Sequence, residues 1–263
     1  MRPLNTLAFI LRHLAFNLQV ALEYRVAFAM QVLFMVANNI LLLFFWWILF
    51  QRIPDVGGWG QRETMLLIGV CSASFGLAAT CAGNVFRLSK LIADGQLDVY
   101  LLLPREPLVH ALVGRTVIAG LGDALFGFAT ILILGPHTVA GQLAVWISVV
   151  ASAQVFLAFG ILVHALSFWV GNATGLAPFL HESLLALGMY PESIYPHRLK
   201  LLLYTLIPVG FFVHVPVALA RAADPRLLAL ALCFGALSLR LAHMVFARGL
   251  RSYTSGNLIA GRT

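Results

Sequence analysis

Charge is what this 263-residue chain has least of. Asp, Glu, Lys and Arg together make up 10% of it, against about 25% in an average soluble domain. With 61% hydrophobic residues and a mean hydropathy of +0.93, a water-soluble fold is excluded and an integral membrane protein is expected. Lysine is nearly missing. Lys90 follows Ser89 and Lys200 follows Leu199, so neither sits in the Gly-Lys-Ser/Thr context of a phosphate-binding P-loop, and ATP is not bound that way. The three cysteines, Cys71, Cys81 and Cys233, lie inside apolar runs without CxxC spacing, which excludes a disulfide framework and a zinc cluster. His181-Glu182-Ser183-Leu184-Leu185 begins like HExxH but lacks the second histidine, so a zincin site fails for want of a ligand. No run of basic residues is interleaved with aromatics, and the net charge of +7 reads as loop charge beside a membrane rather than a nucleic-acid surface.

What is present is a series of apolar runs. A bilayer core of about 30 Å takes about 20 residues of helix per crossing, so the chain has room for six. Residues 1–23 are interrupted by Arg12, His13, Asn17 and Gln19 and carry no A-x-A cleavage site. Leu4, Leu7, Leu11, Leu14, Leu18 and Leu22 recur at three- and four-residue steps opposite Asn5, Arg12, Gln19 and Glu23. The pattern predicts an amphipathic helix lying in the membrane interface rather than a signal peptide.

Spans are expected at residues 26–50, 64–86, 110–134, 143–170, 176–194 and 227–247. The first closes in Phe44, Phe45, Trp46, Trp47 and Phe50, as rings do at the headgroup level. In the second, Ser72, Gly76, Thr80 and Asn84 step by four, a strip of small side chains on which another helix can pack closely. Residues 87–108 are too charged to cross and read as a helix-forming cytoplasmic segment. The apolar stretch 201–220 is long enough to span, but Pro208 and Pro216 each remove a backbone donor, so residues 195–221 are expected to form a broken, re-entrant helical hairpin. Nine basic residues then fall on the side of both termini and six on the other, which favours cytoplasmic termini, with 248–263 as a cytoplasmic tail. The expected fold is therefore all-α and integral to the membrane, a single transmembrane unit of six transmembrane helices with an amino-terminal interfacial helix and a re-entrant hairpin before the last span.

This layout resembles the permease of type-2 ABC exporters, the ABC-2 type. The likeness rests on Ile92-Ala93-Asp94-Gly95-Gln96-Leu97-Asp98 with Leu101-Leu102-Leu103-Pro104, on Tyr190-Pro191-Glu192-Ser193-Ile194-Tyr195-Pro196, and on Ile207-Pro208-Val209-Gly210-Phe211 with Pro216. It extends to the tail Gly249-Leu250-Arg251-Ser252-Tyr253-Thr254-Ser255-Gly256-Asn257, with an acidic residue expected where Thr254 stands. The strings belong to a poorly characterised branch that often pairs with a sister permease. The resemblance implies a non-enzymatic exporter subunit in a bacterial plasma (inner) membrane, forming half of the substrate pathway beside a second permease, either a copy or a sister chain. It also implies two cytoplasmic ABC ATPase subunits that carry ATP and Mg, with no cofactor bound by this chain. Residues 87–108 would hold the coupling helix, with Asp94, Gly95, Leu97, Asp98, Pro104 and Arg105 as ATPase-coupling residues: Asp94-Gly95 as a turn, Asp98 as a cap or pairing group, Pro104 as the stop.

Ionisable groups inside spans cost about 2.5–3.5 kcal/mol each on insertion scales. Arg115 and Arg240 can snorkel to the interface. Asp123 and Glu182 have no such route, and with His164 and His181 they are the candidate substrate pathway, either paired within the bundle or lining a cavity for a cation. A proton- or ion-coupled secondary transporter using the same four residues is the alternative function, although the internal repeats common in such folds are missing. An intramembrane enzyme or assembly scaffold rests on His181-Glu182 alone.

Overall fold

The computed structural model describes residues 6–253. The leading residues 1–5 and the tail beyond Tyr253, with Leu4, Asn5 and Thr254 among them, lie outside the described residues. Every regular element described is helical, as a chain with few charges and no water to bond its main chain requires.

The order is α1 (Thr6–Glu23), α2 (Arg25–Phe50), α3 (Gln61–Ala82), α4 (Leu88–Ala93), α5 (Asp98–Leu101), α6 (Pro107–Val113), α7 (Ala119–Leu134), α8 (Val139–Ala165), α9 (Ser167–Val170), α10 (Leu176–Gly188), α11 (His197–Thr205), α12 (Val215–Arg221) and α13 (Pro225–Arg251). A 3-10 turn, Gly83–Arg87, joins α3 to α4, and a π turn, Gly210–His214, leads into α12. Four stretches are long and apolar enough to cross a membrane: Arg25–Phe50, Gln61–Ala93, Val139–Val170 and Pro225–Arg251. Taking α11 with Gly210–Arg221 as one broken span makes five.

Three expectations about the spans change. The run 110–134 is not one helix. It divides into α6 and α7 across residues 114–118, and Val117 N–H there donates to Ala79 O at 3.1 Å. The break thus places an otherwise unpaired main-chain donor on α3. The span expected at 176–194 stops at Gly188, because Pro191 follows and a 3-10 turn, Glu192–Ile194, takes over. At 1.5 Å per residue, α7 with 16 residues and α10 with 13 reach about 24 and 20 Å, short of the bilayer core. Finally, only one of the two prolines breaks its helix. Pro208 lies in the gap where the two arms meet at 79°, whereas Pro216 sits in the first turn of α12, where its missing N–H has no helical partner to lose.

The bundle is organised around α3, which runs between α2 and α7 on one side and α8 on the other. Gly76 faces α7 so closely that a Cβ there would fall on the main-chain nitrogen of Ala124. One at Gly127 would fall on that of Ala73. Ser72 reaches α2, Thr80 lies against Gly120, and Asn84 Nδ2 donates to Ala111 O of α6 at 2.7 Å. At the opposite end Arg62 of α3 donates to Leu134 O at 2.9 Å and Gly135 O at 2.7 Å, satisfying carbonyls at the C-terminus of α7. The two helices are therefore held along the whole of α7.

A second packing unit surrounds α8, against which α10, α12 and α13 lie. Its large core contains Trp46, Leu67, Ile68, Phe126, Val149, Phe156 and Phe212. At the other end a smaller core collects Leu88, Leu91, Ile92, Leu97, Leu108, Phe168 and Phe246. By contrast α2 and α13 keep most of their apolar surface outward, with only 11% and 17% of their spanning windows buried. Gly127→Val is expected to wedge α7 off α3, since the obstacle is backbone, at a cost of about 2 kcal/mol. The unfolding midpoint of the purified protein in detergent should fall by several degrees, and an unchanged midpoint would remove this interface from its central place.

Candidate functional site

Six of the residues singled out from the sequence, Asp94, Gly95, Leu97, Asp98, Pro104 and Arg105, fall on one structure at the end of the bundle occupied by the smaller core. Asp94 closes α4, its N–H donating to Lys90 O at 2.9 Å. Gly95 follows at φ +72°, in the left-handed region that a side chain disfavours. The turn aims Leu97 into the core with Leu88, Ile92, Phe168 and Phe246, where it is 1% exposed. Asp98 opens α5 and lies beside Tyr253, whose phenol is pushed up to about 12 by burial and by that carboxylate. Past Leu97 the polarity inverts. Val99, Leu101, Leu102 and Leu103 all face outward, Leu102 at 87% exposure. Pro104 is exposed after the end of α5, and the guanidinium of Arg105 stacks over Phe9 of α1 at 4.9 Å.

Two neighbours of this segment escaped the sequence reading. Glu106 is the N-cap of α6, its carboxylate accepting from Leu108 N–H at 3.3 Å and Val109 N–H at 2.7 Å. An acidic residue followed by proline ahead of an apolar run is a helix-start signal that was available. His13 and His110 join Phe9 in an aromatic cluster, with ring centroids 4.1–5.2 Å apart. Asn17 Nδ2 reaches Val113 O at 3.0 Å. Helix α1, which buries no residue fully, is thus tied to the break between α6 and α7.

The intramembrane candidates do not form one site. Asp123, 5% exposed, accepts from Asn39 Nδ2 on α2 at 2.7 Å, and Ser72 of α3 donates to Asn39 Oδ1 at 3.3 Å. Asp123 Oδ2 has no partner among the described residues. The neighbouring Asn38 turns outward on α2 and takes no part. His164 and His181 meet elsewhere, their ring centroids 5.6 Å apart. Ser89 N–H donates to His164 Nδ1 at 3.2 Å and Ser89 Oγ lies 2.9 Å from the same nitrogen, so this buried imidazole links α4 to α8. His181 is held by its faces, with Phe86 stacked at 5.1 Å and Phe156 at 4.4 Å and Gly160 against the ring. Glu182 corrects the sequence expectation. It is exposed on the outer side of α10, since His181 and Leu184 claim the buried side, and among the described residues it neither pairs within the bundle nor joins Asp123. Among the described residues no group of three His, Cys, Asp or Glu could hold a metal ion.

Matched against known protein families, residues 36–257 fit the ABC-2 family transporter protein. The chain belongs to the ABC-2 transporter family. No curated protein and no solved structure matches it. The family is one of transport membrane components, and an ABC-2 chain with this fold is a multi-pass membrane permease associated with an ATPase partner.

Asn39→Leu in this ABC-2 permease removes the donor to Asp123 while keeping the branched shape of the side chain. Leaving the buried carboxyl unpaired costs about 1–3 kcal/mol, whereas the double substitution with Asp123→Leu should recover most of that. Thermal unfolding of the three proteins in one detergent measures the difference, and an N39L protein as stable as the parent would dismiss the pairing as incidental.

Proposed function

We propose that the chain is the permease subunit of an ABC exporter, forming half of the transmembrane substrate pathway and driven by a separate ATPase through residues 87–108. The observation that carries this reading is the two-sided coupling segment. Leu97 is locked into the core that contains Phe168 and Phe246 of α9 and α13, while Val99, Leu101, Leu102 and Leu103 form an apolar edge left uncovered by the other described residues. Exposed apolar clusters of this kind mark protein contacts, and at a membrane protein's charged, non-spanning segment the occupant is the partner ATPase. A push on that edge passes through Leu97 to α9 and α13, and through Ser89 and His164 to α8. Asp94, Gly95 and Asp98 hold the geometry, and Arg105 with Phe9 joins α1 to the same lever.

In this reading α2, Gln61–Ala93, α6 with α7, Val139–Val170, α10 with the 3-10 turn after it, and α13 make six crossings. The corner of α11 and α12 dips in and returns, α1 lies in the interface, and both termini are cytoplasmic in the inner membrane. ATP and Mg reside on the two ATPase subunits. A second permease, copy or sister chain, is supported by the outward face of α2. Gln31 and Asn38, seven residues apart on one side of that helix, are both exposed, and amides at membrane depth find partners across helices. ATP-driven closure of the ATPases would bring two coupling segments together and shift the paired permeases between inward- and outward-open states. Transport then follows from a difference in substrate affinity between the two. The alternative of ion- or proton-coupled transport through Asp123, Glu182, His164 and His181 loses support, because Asp123, Glu182 and the His164–His181 pair lie in three separate surroundings rather than in one relay.

Purifying the tagged chain from its host in mild detergent should recover a P-loop ATPase. Leu102→Asp is expected to lose that ATPase while its own unfolding midpoint stays put. Gly95→Pro, whose ring enforces φ of about −65° where the turn needs +72°, should insert in the membrane yet abolish substrate-stimulated hydrolysis, as should Asp98→Arg. Full ATPase recovery with Leu102→Asp, together with normal transport by the other two, would overturn the assignment.

A further inference from the structure

We propose that the end of the bundle opposite the coupling segment carries a binding site for an organic ammonium ion with an apolar body. The site is a cavity of about 360 Å³ under the bent α11–α12 pair, with Trp59, Glu192, Tyr204, Phe211, His214 and Arg221 in its wall. It is separate from Asp123, Glu182, His164 and His181, and Glu192 in its wall belongs to the Tyr190-to-Pro196 string.

The charges decide the ligand. Arg221 is spent on Glu63, with its Nε 2.8 Å from one carboxylate oxygen and its Nη2 2.9 Å from the other, and its plane lies over Trp59 at 4.6 Å. Lys200 acts on His214 from nearby but does not line the cavity. The uncompensated charge in the wall is the carboxylate of Glu192. Tyr204 Oη donates to its Oε2 at 2.7 Å, and His214 Nδ1 stands 3.9 Å from the same atom, so Oε1 is the atom left for a ligand. His214 is buried to 2% side-chain exposure, and its Nε2 lies 3.3 Å from Tyr190 O. A carbonyl only accepts, so that nitrogen carries the ring proton of the neutral imidazole and Nδ1 is a bare acceptor. It has no partner among the described residues. Two acceptors therefore face each other beyond hydrogen-bonding distance with no proton donor between them. An ammonium N–H supplies the donors, and the aromatic faces of Phe211 and Tyr204 with the aliphatic wall of α13 receive the apolar body.

The site's test needs neither ATP nor the ATPase, so it stands if the coupling segment is reassigned. Isothermal titration of phenethylammonium into the purified full chain in detergent should give saturable binding, with phenethyl alcohol and 3-phenylpropanoate, of similar shape, at least tenfold weaker. Glu192→Gln, which keeps an acceptor for Tyr204, should weaken the ammonium at least tenfold with an unchanged unfolding midpoint, and Glu192→Asp should restore part of the loss. Equal affinity in parent and Glu192→Gln, equal binding of the alcohol, or no saturable binding at all would overturn the proposal and leave Glu192 and His214 as a self-contained pair.

Discussion

Two backbones in contact, α3 against α7, are what the rest of the molecule hangs on. In lipid there is no hydrophobic gain from pressing one apolar helix on another, so association depends on close van der Waals fit and on polar links. Gly76 and Gly127 bring the main chains together, and the polar links sit at intervals along the seam. These are Arg62 at one end, Asn39 with Asp123 along it, and Val117 on Ala79 at the other end. That fixed pair lets the neighbouring chain be irregular. The break after α6, the 3-10 turn after α3 and the corner at Pro208 all leave main-chain groups that must be satisfied by protein, and each lies against a helix that can do so.

The second consequence is a division of labour between two cores. The larger one, with Phe156 and Phe212, fixes α8 against α3 and the bent pair. The smaller one contains the C-terminal ends of α8 and α13 together with α4, Leu97 and α6. The charged segment 87–108 is thereby fastened to α8, α9 and α13 by Leu88, Leu91, Ile92 and Leu97 and by a histidine-serine contact. A segment packed in this way moves as one body with the helices it grips, since packed interiors shift between arrangements rather than deform smoothly.

Much of this was legible from residue pattern, and the parts that were not have a common cause. The small-residue strip on the second span and the Asp94-Gly95 turn were readable because each rests on a local steric rule. So was the break at Pro208. Pro216 was misread since the rule against proline applies to helix interiors, and the π turn before it makes Pro216 a helix start. The division of the third apolar run escaped because Gly114 and Thr116 are mild signals, and the interruption is stabilised by Ala79, 38 positions earlier than Val117. Glu182 and Asp123 looked equivalent on paper as carboxylates in apolar surroundings. Which side of its helix each occupies depends on tertiary packing, with Asn39 drawing one inward and His181 displacing the other. The cavity at Glu192 was invisible for the same reason, being assembled from four separate stretches of chain.

The bond between Asn39 and Asp123 joins residues 84 positions apart, which bears on how the protein is made. At synthesis rates of about 5–20 residues per second, the ribosome delivers Asp123 roughly 4–17 s after Asn39. Through that interval the first long helix, which keeps little of its surface against the rest of the fold even when complete, carries an amide with no carboxylate to meet. Among the described residues Ser72, only 33 positions on, is the one partner of that amide made in the meantime. The seam on which the finished permease depends therefore closes late, only after the third apolar run has been made.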